Sequence, residues 1–190
     1  MKRCLVGVGA AWFALLLAVV GPTAARASVV LGLELEEMTD QASVAAIATV
    51  QSKKVKRLQS SIVTEWTLRV QDPLKGAAKA GEEVVMVTLG GAVDGVAMSV
   101  EGEPGFEIGE RALVFARGTG RWHLRPVGMA QGVMRIRHID GIDRVFSANQ
   151  GLSLVRRTEK GLVNAPSAVV EGESLNTIVE RVRAHVGRKP

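Results

Sequence analysis

The chain has 190 residues, 47% of them hydrophobic and 23% charged, which is the composition of a globular protein rather than a disordered or fibrous one. It contains one cysteine, which excludes an internal disulfide framework and a multi-thiolate zinc site. The formal charge is +5, but the removal of Lys2, Arg3 and Arg26 with a leader segment lowers it to +2. So small a charge gives little support to polyanion binding.

Residues 1–27 predict a secretory signal peptide, because Lys2 and Arg3 precede an apolar run that is followed by the small residues Ala25 and Ala27. A single membrane anchor is disfavoured, since the run ends near residue 20. Cys4 stands before the run and not after it, where a lipoprotein anchor is expected. The sequence therefore predicts an exported protein, periplasmic or secreted, with residues 28–190 forming a single domain and no membrane span after cleavage.

The first elements of the mature chain are a helix and a buried strand. Leu31, Leu35, Met38 and Ala42 recur at helical spacing and predict a helix over 33–42. Residues 43–51 are nearly all apolar and predict a strand buried on both faces. The lysines and arginine of 52–61 indicate either a basic contact surface or a solvated hairpin connection, and the connection is favoured for so short a run.

The clearest pattern lies in residues 62–71. Alternate residues are apolar or small and predict the buried face of a long strand: Ile62, Thr64, Trp66, Leu68 and Val70. Asp72-Pro73 is expected to end the strand, because proline has no N–H to donate.

A glycine-rich excursion follows the next strand, which is predicted at 81–89. Residues 90–109 are expected to be irregular around a short strand at 96–100, with Met98 and Phe106 either anchoring the excursion or presented to a partner. Residues 110–117 and 120–127 then predict a hairpin. Its inward side chains are Leu113, Phe115, Trp122 and Leu124.

The last third predicts a second hairpin and a helix. Residues 133–139 and 143–147 flank Asp140-Gly141, a common turn dipeptide, whereas 148–170 show no period. Ser174 is an N-cap candidate for an amphipathic helix over 174–186, whose apolar face is Leu175, Ile178, Val179, Val182 and Val186. The predicted fold class is mainly β, a small antiparallel OB-like Greek-key barrel with a short N-terminal helix and a C-terminal amphipathic helix.

Two stretches carry a resemblance to a group of uncharacterised exported bacterial proteins. They are Leu74-Lys75-Gly76, which closes the threonine-containing strand, and residues 106–115, in which Gly-Glu leads into an apolar strand. Over about 75 residues the same order of elements is similar to the netrin-like OB-fold barrel of tissue inhibitors of metalloproteinases. That resemblance implies the barrel. It does not imply zinc-directed inhibition, because the family uses an N-terminal cysteine that a mature chain starting near Ser28 lacks.

The most metal-like residues are His138, Asp140 and Asp143, since imidazole and carboxylates bind zinc and similar ions. A hairpin turn explains the same residues and is favoured. No serine lies in a Gly-x-Ser-x-Gly elbow, and the glycine-rich segment lacks the lysine and hydroxyl of a phosphate loop. The sequence predicts no catalytic set and no cofactor.

Basic residues on two neighbouring strands predict a candidate binding face. It comprises Arg121, His123, Arg125, Arg135 and Arg137. OB-type barrels use such faces, with aromatic platforms, to bind single strands or sugars. Tyrosine is absent from the sequence, so the nucleic-acid signal is weak and a solvated face is favoured.

These observations favour a non-enzymatic exported interaction module whose partner is an envelope or extracellular protein. The first alternative is an inhibitor or accessory factor of an extracellular hydrolase. The second is a metal-dependent enzyme that uses His138, Asp140 and Asp143.

Overall fold

The computed structural model describes residues 28–118, 123–149 and 151–188. The expected signal peptide with Cys4, and also Arg121 and Trp122, lie outside these residues. The helices are α1 (Leu35–Gln41) and α2 (Leu175–Gly187). The strands are β1 (Ser28–Leu31), β2 (Val44–Leu58), β3 (Ser61–Lys75), β4 (Glu83–Leu89), β5 (Gly91–Val93), β6 (Val96–Met98), β7 (Arg111–Arg117), β8 (Arg125–Pro126), β9 (Val133–Ile139), β10 (Ile142–Ser147), β11 (Leu152–Thr158), β12 (Gly161–Asn164) and β13 (Glu173–Ser174).

The largest sheet has the strand order β13-β10-β9-β7-β2-β3-β4, and its neighbours are antiparallel. β8 pairs with β7 beside this path, and β5 and β6 form a separate hairpin. A smaller sheet has the order β1-β11-β12, in which β1 runs parallel to β11. The prediction of a mainly β fold with antiparallel sheets and two helices is confirmed.

The path of the large sheet is open and does not form a closed barrel. The segment before β8 nevertheless contacts β4, the last strand of the path, at Leu124. The Leu124 N–H donates to the Val85 carbonyl at 3.0 Å, and the Leu124 carbonyl accepts the Val87 N–H at 2.7 Å. This contact joins the segment before β8 to β4 by a single parallel bridge. The OB-like Greek-key barrel stays a prediction.

Two hydrophobic cores lie on opposite faces of the large sheet. The inner core lies on the face that carries Trp66 and includes Ala46, Ala48, Trp66, Leu68, Phe106 and Leu124. The outer core lies between the sheet and the helices and includes Leu35, Met38, Ile47, Phe115, Val145 and Ile178. β2 contributes alternate residues to both cores, which confirms that residues 44–50 are buried on both sides.

Both predicted helices form close to their predicted bounds. The Glu37 carboxylate accepts the Glu34 N–H at 2.8 Å, so an acidic side chain satisfies a free donor at the start of α1. In α2 the predicted face is buried at Leu175, Ile178, Val179 and Val182 and half-buried at Val186, although Ser174 makes no side-chain cap hydrogen bond. Leu31 lies in β1 and is exposed, so it does not belong to the face of α1. Neither of the described helices has the length and apolarity needed to cross a membrane.

Residues 52–58 correct the prediction of a turn over 52–61. They continue β2 opposite β3, and only Gln59 and Ser60 connect the two strands. β3 also continues through Pro73, which lies opposite Ala46 of β2. Proline has no N–H to donate, and the register shifts near Ala46 accommodate it. Charge and proline content did not end the strands here, since long-range pairing determined their length.

In the β region the structure adds strands to a stretch that showed no period, and it overturns one prediction about inward-facing side chains. Residues 148–170 contain β11 and β12, and β1 supplies the parallel strand that completes their sheet. Leu113 and Phe115 are buried in the outer core, whereas Leu124 lies in the inner core, so they do not share one interior. The predicted strand over 120–127 is limited to β8 among the described residues.

Candidate functional site

The glycine-rich excursion forms a cleft of about 230 Å³ against the edge of the inner core. We call it the excursion cleft, and its main side chains are Lys53, Trp66, Thr88, Met98, Glu103 and Phe106. Phe106 is 8% exposed and meets the Trp66 ring edge-on, with 5.3 Å between ring centroids. The contact holds the end of the excursion on the core, which is the first of the two roles that the sequence left open for Phe106.

Hydrogen bonds to β4 and to the residue after it fix the floor of the cleft. The Trp66 indole N–H donates to Thr88 Oγ1 at 2.9 Å, and the Thr64 hydroxyl donates to the Gly90 carbonyl at 2.7 Å. Buried polar groups are costly unless they are paired, so these bonds keep one arrangement of the floor.

Gly90 and Gly91 let the hairpin of β5 and β6 approach that floor. Their φ angles are +101° and +134°, which side chains other than glycine rarely adopt. A Cβ at Gly91 would lie 2.7 Å from both Thr64 Oγ1 and Val55 Cγ1. The sequence predicted an irregular excursion that begins at residue 90, and the structure adds a steric requirement for glycine there.

Glu103 places a half-buried carboxylate in the excursion cleft. Its Oε2 accepts the Leu89 N–H at 3.1 Å, which joins the excursion to the end of β4. Burial raises the pKa of Glu103, while the Leu89 hydrogen bond and the charge of Arg125 oppose the rise. Burial disfavours the ionised form of Glu103, and a hydrogen-bond donor or a cation from a ligand would favour it.

Lys53 supplies the opposite charge, with its ammonium 5.2 Å from the centroid of the Trp66 ring. The cleft thus combines an aromatic floor, one carboxylate, one ammonium and the flexible side chain of Met98, which is half-buried on β6. Such a lining favours noncovalent binding of a mixed apolar and polar group.

The three metal candidates do not converge. His138 Nδ1 and Asp143 Oδ1 are 2.8 Å apart, and the second oxygen of Asp143 accepts from Arg111 at 2.8 Å. Hydrogen bonds from His138 and then Arg111 lower the pKa of Asp143. Asp140 lies in the turn with a φ of +51°. In the ranges that the structure describes, no three histidine, cysteine or acidic side chains form a metal-binding group.

The predicted basic face divides into separate places. Arg125 pairs with Arg117 of β7, whereas Arg135 pairs with Ala112 of the same strand. Arg117 and Ala112 are five residues apart, which is about 17 Å along a strand. His123 is exposed with a φ of +58°. Arg121 lies outside the described residues.

Internal contacts already engage the two arginines of β9. Arg135 contacts Glu110 at 3.3 Å and donates to the Gly105 carbonyl at 3.0 Å. The Arg137 guanidinium lies 5.1 Å from the centroid of the Phe146 ring. These contacts favour the interpretation of the basic residues as a solvated, paired surface.

Sequence reasoning singled out Met98 and Phe106, interpreted Lys53 as part of a solvated connection, and missed Glu103 and Thr88. Glu103 follows Gly102 in a segment with no period, so nothing in its pattern distinguishes it from a surface acid. Thr88 was detectable in principle, because the strand alternation of β4 places it on the same face as Val84 and Met86, which are buried.

No protein-family model matches the chain, and no curated protein is significantly similar to it.

Proposed function

We propose that the chain is an exported, non-enzymatic interaction module that holds its partner at the excursion cleft. The observation that carries the proposal is the half-buried Glu103 carboxylate beside Trp66, Phe106 and Met98. The Leu89 N–H and the charge of Arg125 offset part of the cost of burying this carboxylate, and a donor or cation of a bound group would offset more of it.

An OB-like barrel is part of the same proposal. The order β4-β3-β2-β7, the pairing of β8 with β7, and the Leu124 bridge to β4 are the neighbours that a five-stranded Greek-key ring requires. The excursion then lies between the third and fourth strands of that ring. The resemblance to netrin-like barrels supports the same assignment.

The proposed partner is a protein of the envelope or the extracellular space, since the signal peptide predicts export. Inhibition of an extracellular hydrolase is the narrower alternative. In the structure the Ser28 N–H donates to the Gly151 carbonyl at 2.9 Å, and its hydroxyl donates to the Glu101 carbonyl at 3.2 Å. In tissue inhibitors of metalloproteinases the N-terminal cysteine approaches the protease, but a mature N terminus that is held in a sheet does not. An inhibitor with this fold would therefore use the excursion cleft.

The test is affinity capture from an envelope extract of the source cells with matched variants. Met98→Asp places a charge in the excursion cleft, and Leu162→Asp places the same charge on β12, where Leu162 is 59% exposed. We expect the wild type and Leu162→Asp to retain the same protein and Met98→Asp to lose it. Equal capture by all three would place the binding surface elsewhere.

Elemental analysis that finds stoichiometric zinc would instead favour the metal-dependent enzyme.

A further inference from the structure

The outer half of β2 has a free edge. β2 and β3 each contain 15 residues, but β7 pairs only with Val44–Thr49 of β2. The last contacts on that side are at Val50, whose N–H donates to the Glu110 carbonyl at 2.9 Å and whose carbonyl accepts the Gly109 N–H at 2.8 Å. Within the described part of the chain, no strand pairs with that edge over residues 51–58.

The register identifies which backbone groups this edge presents. The Gly90 N–H donates to the Ile62 carbonyl, so even-numbered residues of β3 bond to β4 in this region and odd-numbered ones bond to β2. The β2 partners of the odd-numbered residues are Ser52, Lys54 and Lys56. The N–H and C=O groups of Lys53, Val55 and Arg57 therefore point away from β3 and towards the free edge.

Cations surround this edge on both faces of the sheet. Lys53 and Arg57 lie on the face of Trp66, and Lys54 and Lys56 lie on the other face. Glu65 is the only acidic residue in these two half-strands, and it contacts Lys56 at 2.5 Å. Lys54 and Arg57 have no ion pair or hydrogen bond with a described side chain.

Exposed apolar side chains lie at both ends of the edge. Leu58 is 51% exposed beside the β2–β3 turn, and Ile108 is 69% exposed next to Gly109, where the pairing with β2 stops. The edge thus has the length of an ordinary strand, one sign of charge along its middle and an apolar contact at each end.

We propose that residues 51–58 form a β-augmentation site for an acidic extended segment of a partner protein. The segment adds as a strand in line with β7, its backbone pairs with Lys53, Val55 and Arg57, and its carboxylates lie beside the four cations. The inference rests on the proposed function, because it supplies a second contact for the same kind of partner. Lys53 belongs to both places, so the two proposed contacts adjoin at that residue.

Two other readings make different predictions. Lysines on an edge strand also protect it from pairing, in which case no peptide adds there. A purely electrostatic site takes any polyanion and does not need a backbone that can hydrogen-bond.

The probe is the peptide Glu-Val-Glu-Thr-Glu-Val-Glu-amide with fluorescein coupled to its N terminus, compared with the same peptide N-methylated at every residue after the first. Both peptides carry the same charge, but the methylated one lacks N–H donors along both of its edges and cannot extend the ladder. We expect the plain peptide to bind the purified mature protein, with an affinity that falls as salt rises, and the methylated one to bind at least about tenfold more weakly.

Val55→Pro removes an outward N–H without breaking a bond to β3, whereas Val55→Thr keeps that N–H and the side-chain shape. We expect Val55→Pro to weaken binding at least about tenfold and Val55→Thr to leave it unchanged, with hydrogen exchange of the Lys53 and Arg57 amides slowed by the plain peptide only.

Equal binding of the two peptides, unchanged binding by Val55→Pro or absence of binding would each overturn the proposal. The peptide comparison needs no variant, so it decides the matter even if Val55→Pro does not fold. None of these results alters the Met98→Asp capture experiment, which tests the excursion cleft alone.

Discussion

Trp66 lies where the inner core meets the excursion cleft, and its side chain is 4% exposed. Replacing it with alanine removes the edge-on contact with Phe106 and leaves Thr88 without its indole donor. We expect Trp66→Ala to lower the free energy of unfolding by roughly 3–5 kcal/mol, as large-to-small core changes do. Urea unfolding of the variant beside Thr67→Ala, on the opposite face of β3, measures it. A loss below about 1 kcal/mol would mean that Trp66 is not a core residue.

Glu103 gives the free energy of unfolding a specific pH dependence. Its pKa is raised in the folded protein, so the fold binds the proton more tightly than the unfolded chain does. The stabilising contribution of this group is therefore present below its ordinary value of 4.5 and is lost as the pH rises through the raised folded value.

Glu103→Gln keeps an acceptor for the Leu89 N–H and removes the titration. We expect the variant to be more stable than the wild type at pH 7 and the difference to disappear as the pH falls towards 4, in urea unfolding at a series of pH values. Asp143→Asn is the matched control, because the pKa of Asp143 is lowered and its contribution has the opposite sign. A difference between Glu103→Gln and the wild type that is constant with pH would show that Glu103 is ordinarily solvated.

Individual residues were predictable wherever a strand has one buried face. The alternation from Ile62 to Val70 assigned five buried side chains correctly, because a period of two relates sequence directly to the faces of a sheet. It gave no information about Glu103 or Lys53. Their importance arises from neighbours in distant strands, and no local pattern encodes those neighbours.

The hairpin of β5 and β6 is the most separable element of the excursion. Its turn residues Asp94 and Gly95 have φ angles of +51° and +74°, and it packs on the core mainly through Gly91 and Met98. Gly102, Pro104 and Phe106 are buried, so the rest of the excursion is part of the folded unit.

Replacing residues 92–97 with Asn-Gly shortens this hairpin to a two-residue turn between Gly91 and Met98. We expect the fold to remain, with the free energy of unfolding changed by about 1 kcal/mol or less, because loop closure depends weakly on length. Thermal unfolding and the near-ultraviolet spectrum of Trp66 measure this. Replacing only Asp94 with Asn, which keeps the length, is the control. Unfolding of the shortened protein would mean that the hairpin is required for the core.

Elements were predicted well in position and less well in length. The helices and the hairpin at Asp140-Gly141 follow from amphipathic spacing and turn chemistry, which are local. The extension of β2 through its lysines depends on pairing with β3, and β11 depends on β1, more than 120 residues earlier. Periodicity within a short window cannot report such partners.

At the scale of the whole molecule, one sheet separates two cores. The large sheet carries the helices on its outer face and the excursion on its inner face, so the strands between them are buried on both sides. Composition indicated a single domain with a core but not its division into two. That division depends on contacts between distant segments, such as that of Leu124 with β4, which composition does not encode.

The proposed export makes a prediction about the whole chain. The proposed signal peptide contains the single cysteine, Cys4, so we expect the protein purified from the envelope or the medium to begin at or near Ser28 and to carry no thiol. N-terminal sequencing and maleimide labelling measure this. Retention of Met1, or a lipid on Cys4, would contradict the assignment of the compartment.

The most direct test of the interaction module is site-specific photo-cross-linking in the intact source cells. A photoreactive amino acid replaces Met98 in the excursion cleft, and in a second strain it replaces Leu162, which is exposed on β12. We predict one discrete cross-linked protein from position 98, its loss on shortening the β5–β6 hairpin, and no such product from position 162. A product from position 162 alone, or none from position 98 in a correctly exported and folded protein, would contradict the central claim.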